Sequence, residues 1–308
     1  MNPQERMAAL ERLPFENIGS SERGAHRFWA QVRLILKNRA MLLLFVKRDL
    51  KSRYKDSALG FFWTLVRPIT QLLIYYVVLG KFLGAERGIP EFAIYIFSGL
   101  TIYGLFSEMV MGGTASVIAN AGLVKKVYLP RELFPLATIG SALFNFAIQL
   151  VILLVATLAM GSFPWTPNMV YAIPSLLVIL LYGTALALLL SAVNVYLRDV
   201  QYLVEVVLMV LMWASPILYA WKYVRNVLGD GILLSIYNSN PVTMAVLGFQ
   251  RAFWTAGDPT NTSDPAMHAA YPENLMMNLW IAALIGAVGV FLAQRLFARL
   301  QGNFAQML

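Results

Sequence analysis

Cysteine is absent from all 308 residues, which excludes disulfides, thiolate nucleophiles and cysteine-ligated metals. Histidine occurs twice, at His26 and His268, too far apart in sequence to suggest a site. Charge is scarce. Asp, Glu, Lys and Arg together make up 13% of the chain, against about 25% in an ordinary soluble domain. The phosphate loop G-x-x-x-x-G-K-[ST] is missing too. The segment VLGKF (residues 78–82) has the Gly-Lys pair but neither the first glycine nor a following Ser or Thr. ATP hydrolysis by that route is therefore excluded. The first 25 residues mix Arg and Glu without an apolar core, which is not the pattern of a cleavable signal peptide. No fixed-period repeat or low-complexity tract occurs.

What the chain does have is apolar length. Hydrophobic residues make up 59% of it, and a membrane-crossing helix needs about 20 of them in succession. Six stretches qualify: residues 59–83, 92–119, 133–160, 169–195, 202–219 and 275–297. The expected fold is thus an all-α membrane protein with six transmembrane helices. Lys and Arg placement sets the expected orientation. With the N-terminus in the cytoplasm, eighteen of the 24 basic residues lie inside and five outside, with Arg67 within a span. Both termini are then cytoplasmic. The expected organisation is a cytoplasmic tail with amphipathic interfacial helices over 1–58, a permease domain over 59–300, and a short cytoplasmic tail over 301–308.

The segment VKRDLKSRYKDSALGFFW (residues 46–63) shows how the charge is used. Val46, Leu50, Tyr54 and Ala58 form one helical row, and Lys47, Lys51 and Lys55 form the next. Such a helix can lie at the headgroup level with its lysines toward anionic membrane lipid. Trp29 upstream is an interfacial anchor. Because the basic helix abuts a membrane span, nucleic acid is not an expected partner despite the net charge of +8. Between spans five and six, Asn240 and Pro241 make a strong helix start, but the helix from Pro241 to Trp254 has about 14 residues, near 21 Å. That falls short of a bilayer core of about 30 Å, so an external pair of re-entrant or interfacial half-helices is expected.

Four segments carry a family resemblance: SRYKDSALGFFWTLVRP into the first span, GLVKKVYLPRELFP in the second cytoplasmic loop, NVYLRDV after the fourth span and SPILYAWKYVR closing the fifth. In this order, with six spans, they resemble the permease subunit of type-2 ABC exporters. The closest group exports lipid-linked polysaccharide of the O-antigen, capsule, teichoic acid or galactan type. The resemblance runs over nearly the whole chain after Arg39. It implies a multi-pass protein of the bacterial cell membrane, a homodimer with a channel between protomers, and two copies of a separate cytoplasmic ATPase beneath. ATP and Mg would sit on that ATPase, and this chain would bind no cofactor and be no enzyme. Other readings stay open: an exporter of drugs or simple lipids, a membrane-embedded transferase acting on lipid-linked sugars, or a passive channel or secondary transporter.

The candidate residues divide in two. Val124, Lys125, Lys126, Tyr128, Arg131 and Glu132 belong to the second cytoplasmic loop, where a short amphipathic helix could seat in a groove of the ATPase. The resemblance makes this a coupling helix. Lys47, Arg48 and Lys51 offer a second docking surface; alternatively, all these charges only hold topology. Along the spans, Arg67, Gln71, Tyr75, Tyr76, Glu108, Trp213 and Tyr219 are candidates for a substrate path. Arg suits phosphate, and aromatic faces suit varied sugars. Against this stand anchoring by Arg67, helix packing by Glu108, interhelical hydrogen bonding by Asn145 and Gln149, and an interfacial aromatic belt. Pro68 and Pro216 are candidate kinks.

Overall fold

A computed structural model describes residues 25–54, 62–82, 84, 88–126, 129–258 and 271–308, and among these the only regular structure is helix. Two helices lead: α1 (Ala25–Lys37) and α2 (Arg39–Tyr54). Helix α3 (Trp63–Tyr75) contains Pro68 and runs into a π-helical segment, Tyr76–Phe82. Then come α4 (Phe92–Ala119), α5 (Ala121–Lys126) and α6 (Leu133–Ala159). A 3-10 turn, Pro167–Tyr171, leads into α7 (Ala172–Tyr196), followed by α8 (Val200–Ala214), α9 (Trp221–Leu228), α10 (Ile232–Asn238) and α11 (Pro241–Phe253). Helix α12 (Leu275–Leu300), a 3-10 turn and α13 (Phe304–Met307) close the chain.

Among the described residues five helices are long and apolar enough to cross a bilayer: α3 with its π-helical extension, α4, α6, α7 with its leading turn, and α12. The pair α10–α11, bent by 74°, passes the same test when taken together: counted as one broken span it brings the number to six, and the same bend also fits the expected re-entrant half-helices. The start of α11 is as expected: Asn240 accepts a hydrogen bond from Val242 N at 3.0 Å, with Pro241 at the first helical position. The expected fifth span is corrected. Apolar sequence continues to Tyr219, but α8 has 15 residues, about 22 Å, and stops at Ala214. Ser215 turns extended, and Pro216 lies outside the helix rather than kinking it, since it has no N–H to carry the ladder on.

Helix α4 is the hub. It packs against α6, α7, α8 and α11, while α7 also packs against α12 and α11. Lipid tails are as apolar as leucine, so burial alone does not draw these helices together; close van der Waals contact and interhelical hydrogen bonds must. Small residues permit the approach. A Cβ on Gly113 of α4 would lie 2.4 Å from Ala187 Cβ and 2.8 Å from Ala187 Cα of α7. Beside it, Asn194 Nδ2 donates to Thr114 O at 3.0 Å, fastening the same pair of helices. Helix α11 is buried along nearly its whole length, so its backbone meets protein at any depth in the bilayer.

The ends of the bundle differ. At one end Phe45 of α2, Val117, Val124, Leu133, Val195 and Phe297 share an apolar cluster with Phe304. This joins α2, the end of α4, α5, the start of α6 and the ends of α7 and α12. Lys125, Lys126, Arg131, Arg198, Arg295 and Arg299 sit on or beside these elements, which makes it the basic end. The segments expected on one side of the membrane thus lie at one end of the fold. Gly113→Ala is predicted to destabilise the α4–α7 contact by about 1–3 kcal/mol, because a backbone must shift to admit the methyl group. Gly112→Ala, whose Cβ meets Thr138 at an ordinary 3.5 Å, serves as the tolerated control. Thermal unfolding of the purified protein reads both.

Candidate functional site

At the basic end α2 lies across α6. A Cβ on Gly140 of α6 would meet Val46 at 2.7 Å, so glycine sets how close α2 comes. Phe45 is buried and stacks on Phe134 with ring centroids 5.4 Å apart. With that face used, Lys47, Arg48 and Lys51 point outward and are exposed. Arg48 lies over the Phe45 ring at 5.0 Å and pairs with Asp49 at 2.8 Å. The expected stripes, apolar inward at Val46 and Leu50 and basic outward at Lys47 and Lys51, are present; the Tyr54 side chain, Lys55 and Ala58 lie outside what the structure describes. On α1, Phe28 packs against Phe291 of α12, while Trp29 is 61% exposed.

Helix α5 departs from expectation in one respect. Val124, expected as an apolar contact for a partner, is buried in the chain's own cluster. Lys125 and Lys126 remain exposed beside it. Tyr128 lies outside the described residues. Arg131 is half-buried, its guanidinium over the Phe304 ring at 5.7 Å.

Glu132, expected on the docking surface, is instead 1% exposed. Its Oε1 accepts from Gln31 Nε2 of α1 at 2.9 Å and from Gln301 Nε2 after α12 at 3.4 Å. One carboxylate thus ties the leading helix, the loop after α5 and the end of α12. Its Oε2 is buried with no hydrogen-bond partner. Burial pushes the Glu132 carboxyl above its ordinary value, against the opposing pull of hydrogen bonds, Gln31 and Gln301 among them, and of the Arg131 charge. Any contribution of Glu132 to docking is through positioning. Sequence reading could not find this, because Gln31, Glu132 and Gln301 are separated by 101 and 169 residues.

Along the bundle the path candidates are spread over α3 and its π-helical extension, α4, α8 and the stretch after α8. Gln71 and Tyr75 share one side of α3 with Trp63, Val66, Thr70 and Ile74, and together they border a groove of about 650 Å³. Sequence reading named two of these six; the helical spacing from Trp63 to Thr70 was the signal for the rest. Tyr76 carries Lys81 over its ring at 5.4 Å. Arg67 is helical, but its side chain lies outside what the structure describes. Glu108 of α4 accepts from Asn145 Nδ2 of α6 at 2.7 Å, and Gln149 Oε1 stands 3.7 Å from where a Cβ on Gly104 would be. Asn145 is thus bonded across to α4, the interhelical role that competed with a substrate role, and Gln149 lies beside the same helix.

On α8, Val204 and Leu208 are buried, whereas Tyr202, Leu203, Val207, Met209 and Trp213 are more than half exposed. Two tyrosines of α4 hold the buried side. Tyr103 donates to the backbone oxygen of Leu208. The Tyr95 hydroxyl, with one proton to give, lies 2.8 Å from both Pro216 O and Tyr219 O, and Gln250 Nε2 of α11 donates to Pro216 O at 3.0 Å. The Pro216 and Tyr219 carbonyls, in the irregular stretch after α8, are thereby satisfied from neighbouring helices. Tyr219 in turn donates to Trp213 O at 2.8 Å, so these two candidates are linked through backbone. A Cβ on Gly99 would press on Gln250 Nε2 at 2.9 Å, which explains a glycine facing this knot.

Residues 41–254, from α2 through α11, match the ABC-2 type transporter family. The chain belongs to the ABC-2 type transporter family. It is 30% identical over 254 residues, 82% of this chain and 94% of the relative, to the O-antigen export system permease protein RfbA of Myxococcus xanthus. A protein of the same name from Klebsiella pneumoniae is 22% identical over 87% of this chain and 95% of its own length. The polysialic acid transport protein KpsM of Escherichia coli is 23% identical over 56% of this chain and 67% of its own. As an ABC-2 transporter chain with several apolar crossings, this is a multi-pass membrane protein.

In this ABC-2 chain the buried carboxyl of Glu132 gives a pH signature. An acid that holds its proton more firmly when folded makes the folded state bind more protons than the unfolded one. Stability is then greatest below the ordinary carboxyl range and falls as pH rises through the raised value. Thermal unfolding against pH should show this fall in the native chain and lose that component in Glu132→Gln. Identical slopes would remove Glu132 as its source.

Proposed function

We propose that this chain is the channel-forming subunit of an ATP-driven exporter that moves lipid-linked polysaccharide from the cytoplasmic side outward. The observation that carries the reading is 30% identity across 94% of a protein named as an O-antigen export permease. A long amphiphile needs a path with polar and aromatic lining, and the α3 groove with Trp63, Thr70, Gln71 and Tyr75 supplies both kinds of group. Two chains would form the channel. The apolar residues left open on α3 and α8 support this, since such faces are what a second copy would cover or a substrate would pass.

Energy would come from a separate ATPase bound at the basic end, which would face the cytoplasm by the placement of Lys and Arg. Lys125 and Lys126 are the exposed groups of α5, and Val124 fixes the helix to its own bundle from beneath. A push on α5 would then pass directly to the ends of α4, α7 and α12, which share the same cluster. Movement of these helices would widen the space between α3 and α8. Lys47, Arg48 and Lys51 of α2 lie on the same end and would extend the docking surface or meet anionic lipid.

Reversing charge at α5 tests the division of labour. Lys125→Glu with Lys126→Glu should reduce co-purification of the ATPase by about tenfold, a size expected for interfacial charges turned repulsive. Lys→Arg at both positions should retain it. Undiminished capture by the doubly acidic variant, with the protein properly inserted, would show that α5 is not the contact.

A further inference from the structure

Away from the basic end, α10 and α12 enclose a cavity of about 680 Å³. Each helix turns one face to it. Leu234, Ser235 and Asn238 of α10, with its C-cap Ser239, recur at helical spacing, as do Asn278, Ile281, Ala282 and Ile285 of α12. Trp221, Tyr182 and Tyr271 supply aromatic wall, and Arg225, Asp230 and Glu273 supply charge.

Three observations narrow what fits. First, the phosphate-binding option is spent. Arg225 is held by Asp230 through two bonds, Nε to Oδ1 at 2.7 Å and a terminal nitrogen to Oδ2 at 2.9 Å, and Glu273 adds a further negative charge. An anionic head would meet a neutralised guanidinium and a spare carboxylate.

Second, the centre offers both donors and acceptors beside flat rings. Asn238 Oδ1 accepts from Trp221 Nε1 at 2.9 Å, which turns its amide hydrogens to other use. Asn278 Nδ2 reaches Glu273 O at 3.5 Å, leaving its Oδ1 as acceptor. The Ser235 and Ser239 hydroxyls donate to backbone oxygens of α10 and its cap, so their own oxygens are left to accept. Mixed donors and acceptors against aromatic faces suit a ring of sugar hydroxyls.

Third, the α12 wall is apolar and open. Ile281 and Ile285 are 48% and 57% exposed on a helix that crosses the bilayer. From this combination we propose that the cavity binds the uncharged sugar head of an amphiphile, its alkyl chain lying against Ile281 and Ile285. The proposal does not rest on the transport reading, since such binding needs neither nucleotide nor a partner subunit.

Photolabelling of the full chain in lipid nanodiscs tests it, with an alkyl maltoside carrying a diazirine in its tail as probe. Label should map to α12 near Ile281 and Ile285. It should be displaced by excess unlabelled alkyl maltoside, but at least about tenfold less well by an alkylphosphocholine of the same chain length. Displacement by free maltose as well would show that the sugar suffices; displacement only by the amphiphile would show that the tail contributes, and both support the site. Asn278→Ala should weaken labelling by about tenfold, the cost of one lost hydrogen bond, without touching the Trp221–Asn238 bond. Equal displacement by the phosphocholine, or label that no competitor reduces, would overturn the proposal.

Discussion

The contact of α4 with α7 at Gly113 and Ala187 is the constraint on which the rest of the bundle depends. It allows one helix to stand at the centre and touch four others. Inside a membrane no hydrophobic force favours that arrangement, so it has to be built from close approach and from polar groups that find partners. The same device recurs where Gly183 admits Met109 and where Gly286 admits Tyr182. Asn194, Asn145 and the two tyrosines of α4 add directed hydrogen bonds between helices. Once α4 is placed, the positions of α6, α7, α8 and α11 follow.

The second organising feature is the break after α8. The stretch after Ala214 leaves the helical ladder, and burying its carbonyls unmet would cost about 1–3 kcal/mol each. Tyr95 and Gln250 meet those of Pro216 and Tyr219 from α4 and α11. The short α8 is thus held at its buried edge and end while its opposite face stays open. The basic end works by another principle: Glu132 gathers three distant segments through a single buried carboxylate, so the exposed lysines of α5 stand on a stiff base.

Much of this was legible in the sequence, and for identifiable reasons. Apolar run length located the crossings because backbone satisfaction in lipid leaves the chain little alternative to helix. Asn240 and Pro241 marked a helix start because the side-chain oxygen and missing N–H suit that position locally. The extent of α8 was misjudged, since apolarity alone does not reveal that Ser215 and Pro216 leave the helix. Val124 and Glu132 were placed outward because a short loop helix reads as amphipathic whether its apolar side meets a partner or its own bundle.

Composition, run length and charge placement by themselves determined that the chain is a helical membrane protein without an ATP-hydrolysing loop, with its basic segments gathered at one end. These are properties of each segment against solvent or lipid. Tertiary structure alone decided which side chains face one another: Gln31 and Gln301 at Glu132, Tyr95 at Pro216, and the faces of α10 and α12 around a shared cavity. The physical reason is range. Helix formation and membrane partition act within some twenty residues, whereas a buried hydrogen bond or a cavity wall needs partners that only the packing of distant helices brings together.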